Sequence, residues 1–146
     1  MEINRPDVVA EVAAAFAAYE AALVAGEPDR IVDFFWQSPR TVRYGIADQQ
    51  VGIEEQRVWR WAQPPLPAGR RLRETQIATF GADYAVVNTL FEYPGGTVVG
   101  RQSQTWVRLP SGWRIVAAHV SEPAASAAVD QGVYAAMRRP ARPRTP

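Results

Sequence analysis

Apolar positions along this chain change period once, from a mainly helical spacing in the first sixty residues to runs of strand-formers after about residue 70. Val9, Val12, Phe16, Tyr19 and Leu23 recur at three-four spacing among alanines, the pattern of an amphipathic helix. Asn4 is a suitable N-cap, Pro6 and Asp7 fit the first turn, and Gly26 is placed to stop the helix. A short second helix is expected from Pro28, with Ile31, Phe34 and Phe35 turned to the core and Pro39 ending it. Thr41 to Tyr44 reads as a strand, Val51-Gly52 as a short return, and Ile53 to Trp61 as a third helix. Gln63 to Gly69, with three prolines, is a loop.

Four strands follow: Leu72 to Phe80, Tyr84 to Glu92, Val98 to Arg108, and a last one ending at Ser121. They are separated by Gly81-Ala82-Asp83, Pro94-Gly95-Gly96 and Pro110-Ser111-Gly112, all turn-forming sequences. Helices first and antiparallel strands last define an α+β domain, whose sheet would bend around helix 1 to bury an inner face. In the last hairpin, alternation places Gln102, Gln104 and Trp106 on one face of the first arm. In the second arm it groups Trp113, Ile115, Ala117, His119 and Ser121. Apolar residues occur on both faces, as expected of a sheet that covers a cavity on one side and meets a second subunit on the other.

Length and composition narrow the function. The 146 residues suffice for one domain with a real core, 47% of them being hydrophobic. Residues 1–123 form that domain. Beyond it, 124–137 has the pattern of a short helix, and 138–146 is rich in Arg and Pro and expected to be disordered. A net charge of +1 argues against a nucleic-acid partner. There are no cysteines and one histidine, so disulfides and thiolate chemistry are excluded and no metal is expected. No phosphate loop or dinucleotide fingerprint is present, and no cofactor is expected. No segment reads as a signal peptide or membrane span, which makes a soluble cytoplasmic protein the expectation.

Five residues carry candidate chemistry. Arg43, following the Phe34-Phe35-Trp36 cluster, would meet a carboxylate bidentately if it points inward, and is otherwise an exposed strand arginine. Tyr19 lies on the core stripe of helix 1, where its hydroxyl needs a partner, either backbone or ligand. Gln104 beside Trp106 has the pattern of a ligand-orienting amide on an aromatic wall, or of a pair across a dimer interface. His119 is the obvious general base near neutral pH, or a hydrogen-bonded interface histidine. Arg57, Arg60 and the 70–73 group could rim a pocket mouth or be solvated surface charge.

The hairpin GRQSQTWVRLPSGWRIVAAHVS, with the opening EINRPDVVAEV, the stretch FFWQSPRTVRYG and the segment ATFGADYAVVNTLF, closely resembles the AtzH-like family, which includes the HpxZ-type proteins of oxalurate catabolism. The matching pieces span nearly all of residues 2–121 in order. More distantly, Trp113, Val116, His119 and Ser121 are spaced as in the last strand of the association domain of calmodulin-dependent kinase II. The resemblance implies the SnoaL-like, nuclear-transport-factor-like cone and a place in oxalurate- or carboxyurea-type nitrogen catabolism; with the two-sided apolar hairpin and the candidate residues above, the expectation is a homodimer with a pocket for a small carboxylate or ureido compound. It leaves two roles open: a cofactor-free hydrolase or lyase in which Arg43, Gln104 and Trp106 bind substrate and Tyr19 or His119 handles a proton, or a non-catalytic subunit supporting a partner amidohydrolase.

Overall fold

A computed structural model describes residues 1–123; the stretch expected to form a short helix and a disordered tail, 124–146, lies outside the described residues. Helix α1 (Pro6–Ala25) begins after Arg5. Asn4, expected to cap it, instead accepts a hydrogen bond from Thr79 N through its side chain at 2.9 Å. Its own N–H donates to Thr79 O at 2.9 Å, so it ties the start of the chain to the sheet. Gly26, in the left-handed conformation, closes the helix as expected. The buried stripe is Val8, Val12, Phe16, Tyr19, Ala22 and Leu23, with Glu20 among them.

By length and apolarity α1 is long enough to cross a membrane, a correction to the expectation that no segment approaches a span. A stripe buried in the core and a buried glutamate are features of a helix packed on a sheet. Helix α2 (Pro28–Asp33) is shorter than expected, because Phe34 to Trp36 leave it to hydrogen-bond the last strand: Ile115 N donates to Phe34 O and Trp36 N to Ile115 O.

Strands β1 (Val42–Tyr44) and β2 (Gln49–Val51) precede helix α3 (Ile53–Ala62). Gly52, at φ 91°, makes the turn into α3; a Cβ there would press on the Pro39 backbone at 3.3 Å. Strands β3 (Arg71–Phe80), β4 (Tyr84–Glu92), β5 (Gly100–Leu109) and β6 (Gly112–Ser121) complete one six-stranded sheet in the order β2-β1-β6-β5-β4-β3. The four long strands pair antiparallel as expected, but β1 joins β6 in parallel, so the curved sheet is mixed. The helices pack on its inner face around Trp106, Ile115, Phe35, Val87 and Val12.

Two bulges shape the sheet. In β3 the register slips between Arg73 and Gln76, with Glu74 at φ 52°. In the last hairpin, Thr105 pairs with Ala117 but Trp106 with Ile115, which leaves Val116 as the extra residue. That bulge overturns the expected sharing of a face by Trp113, Ile115, Ala117, His119 and Ser121. Trp113 and Ile115 are buried in the core; beyond Val116 the alternation changes phase, so Ala118 is buried and His119 exposed.

Candidate functional site

Gln102, Gln104 and Trp106 of β5 and Ala118 of β6 face inward, towards α1. Tyr19 meets Trp106 edge-on at 6.4 Å between ring centres, with Phe34 at 5.9 Å and Phe35 at 6.0 Å completing the wall. Its hydroxyl makes no hydrogen bond among the described residues. Burial raises the Tyr19 pKa above its ordinary value, with Arg60 opposing, so the phenol stays protonated. Trp106 Nε1 donates to Gln104 Oε1 at 3.0 Å, which fixes the amide and leaves its NH2 facing the interior.

Arg43 points inward from β1 and is buried. Its Nη1 donates to Asp48 Oδ1 at 2.7 Å and to Gln50 Oε1 at 3.0 Å, and Gln50 Nε2 donates to Asp48 Oδ1 at 2.8 Å. The expected carboxylate anchor is therefore partly engaged by a carboxylate of its own chain.

Arg60, read from sequence only as a rim charge, is the uncommitted cation. It is 8% exposed, makes no ion pair among the described residues, and its buried Nε has no partner. Its guanidinium lies 4.6 Å from the centre of the Trp59 ring, on which Arg43 also stacks at 4.1 Å. Burial, reinforced by Arg43, pulls its pKa down from the ordinary arginine value, while Tyr19 and Asp48 act in the opposite direction. One turn earlier on the same buried side of α3 is Gln56, 1% exposed, with neither Oε1 nor Nε2 bonded among the described residues. The signal for both was the stripe Ile53, Gln56, Arg60, spaced i, i+3, i+7, which turns polar side chains toward a core.

A second polar network is closed on itself. Arg70 Nε donates to Glu20 Oε2 at 2.9 Å and its Nη2 to Gln102 Oε1 at 3.0 Å, while Gln102 Nε2 donates to Glu20 Oε1 at 2.9 Å. This is structural pairing, with Arg70 also stacked 4.3 Å from the Phe91 ring centre.

The structure thus brings Tyr19, Arg43, Gln104 and Trp106 to the interior, together with Arg60, Gln56 and Trp59. It does not bring His119, which stands exposed on the outer face, edge-on to Tyr44 at 5.8 Å. Among the described residues no three His, Cys, Asp or Glu side chains group to hold a metal. What the cluster offers is net positive charge, one protonated hydroxyl and amides, in a buried setting where charge-assisted hydrogen bonds are strong.

A cystatin-like fold protein from Burkholderia xenovorans is 51% identical, with 84% of this chain and 96% of that one covered at a TM-score of 0.81. A DUF3225-family protein of unknown function from Pectobacterium atrosepticum is 48% identical over 84% and 95%, also at 0.81. An NTF2-like protein of unknown function from Pseudomonas putida shares the fold at a TM-score of 0.71 with 14% identity over 82% and 89%. No curated protein matches. The AtzH-like family model matches residues 1–125, which takes in all of the described residues, and the chain therefore belongs to the AtzH-like family.

Proposed function

We propose that the cone interior binds the carboxylate of a small ureido- or carboxyurea-type compound, in the setting of oxalurate-like nitrogen catabolism. Membership of the AtzH-like family on an NTF2-like fold supports a small-molecule-binding protein. The observation that carries the finer reading is Arg60, a buried guanidinium that has no counter-ion and an unbonded Nε among the described residues. An unpaired buried charge is costly, and an incoming anion offsets that cost. Arg43 supplies a second positive charge across Trp59, the Tyr19 hydroxyl and Gln104 amide orient the ligand, and Trp106 walls it.

Holding a ligand is better supported than hydrolysing it. Water attack needs a base, and two carboxylates near the cluster already hold cations: Asp48 accepts from Arg43 and Gln50 through Oδ1, and Glu20 is paired with Arg70 and Gln102. The protein then acts as a ligand-binding subunit for a partner amidohydrolase. One observation favours a catalytic alternative: the unbonded Tyr19 hydroxyl, kept protonated beside Arg60, could give its proton to a leaving nitrogen. Thermal melting with oxalurate, and with its neutral amide as control, tests the ligand class. A shift with the acid alone is expected, and equal shifts or none would contradict it. Purified protein that releases ammonia from oxalurate or carboxyurea unaided would select the catalytic alternative.

A further inference from the structure

Gln56 has no role in the account so far, yet both ends of its amide are buried and unbonded. A carboxamide that lacks both a donor and an acceptor is the complement of another amide, whose C=O and N–H would pair with it side by side. Its neighbour on that side of the helix is Arg60, four residues on, at a Cβ separation of about 5–6 Å in an α-helix. A compound a few bonds long can therefore touch both, its carboxylate on the guanidinium and its amide end on Gln56.

We propose that Gln56 determines specificity by reading a terminal carbamoyl group, so that the site selects monocarboxylates ending in CONH2 over acids of the same shape lacking that amide. The inference rests on the carboxylate-binding reading above. A site built to hydrogen-bond a group rejects the analogue without it, because its own polar atoms are then left unpaired. A purely structural glutamine would not discriminate.

The test is calorimetric titration of the intact protein with oxalurate and with N-acetyloxamate, in which a methyl replaces the terminal NH2, against wild type, Gln56→Leu and Arg60→Ala. Wild type should prefer oxalurate by about tenfold or more. Gln56→Leu should lose that preference by weakening oxalurate and leaving N-acetyloxamate within about twofold, and Arg60→Ala should weaken both. The melting temperature of ligand-free Gln56→Leu should stay level or rise, since an unbonded amide is replaced by an apolar group of similar size. A preference that survives Gln56→Leu, or a wild type that does not discriminate, overturns the role of Gln56 while leaving the carboxylate reading standing. A marked drop in melting temperature would show a structural partner for the amide and overturn it as well. Binding of neither compound by wild type removes both readings.

Discussion

Arg43 and Arg60 stack on one indole, that of Trp59, with guanidinium carbons 4.1 and 4.6 Å from its ring centre. Two like charges are held together inside a small domain, and among the described residues only Arg43 has a carboxylate partner, Asp48. Cation–π attraction of about 0.5–2 kcal/mol each compensates in part. The remaining positive charge is what the proposed anion site rests on, with Arg60 as the member that has no ion pair among the described residues.

Arg60 and Glu20 should therefore respond oppositely to loss of charge. Arg60→Met removes a buried charge with no ion partner and should change the stability of the ligand-free protein by no more than about 1 kcal/mol in either direction. Glu20→Ala strands the buried Arg70 guanidinium, 2.9 Å away, and should cost about 3–5 kcal/mol. Urea unfolding of both variants checks the contrast; a large loss in Arg60→Met would reveal a structural partner for Arg60.

Burial raises the Tyr19 pKa above its ordinary 10.0. Between the unfolded and folded values the unfolded chain has given up the proton and the folded one retains it, so folding stability falls as pH rises through that window and is unaffected below it. Stability measured from pH 8 to 11 should decline above about pH 10, and Tyr19→Phe should flatten the decline. An unchanged slope in the variant would mean that Tyr19 is not buried as described.

Gly100 faces inward opposite Phe91, and a Cβ there would overlap the Phe91 ring. That ring is boxed in by Arg70 and by Tyr93, edge-on at 6.2 Å, so it has little freedom to move aside. Gly100→Ala should lower stability by about 1–3 kcal/mol, as read by thermal or urea unfolding.

The outer face of the sheet carries Val86, Val107, Val116 and Ala117 half-covered, with Tyr84, Tyr44 and His119 exposed beside them. A face of this character is expected to pair with a second copy. Light scattering at micromolar concentration should give a dimer, and Val107→Asp a monomer; a monomeric wild type contradicts the pairing.

The element order and the bounds of the four long strands, to within two residues, could be read from the sequence, because turn residues such as Pro110-Ser111-Gly112 punctuate runs whose period is plain. The parallel pairing of β1 with β6 could not, since it depends on where α2 and the Phe34–Trp36 bridge deliver the chain. Strict alternation placed His119 with Ile115, and one bulged residue, Val116, undid that. Tyr19 was legible as a core-facing residue from the helix stripe, and Gln104 and Trp106 as sharing a face from strand phase; which way that face and Arg43 point was not, and the structure turns them inward. Arg60 was harder to read, because the stripe Ile53, Gln56, Arg60 that buries it competes in sequence with the more apolar Val58 and Trp61, which the structure leaves exposed on the other side of α3.

The most direct test is calorimetric titration of oxalurate into wild type, Arg60→Ala and Arg43→Ala. Losing a desolvated charge-assisted contact costs about 2–5 kcal/mol, so Arg60→Ala should weaken binding at least thirtyfold with the fold intact. Arg43→Ala should weaken it less, Arg43 being shared with Asp48 and Gln50. Equal affinity in wild type and Arg60→Ala would contradict the account.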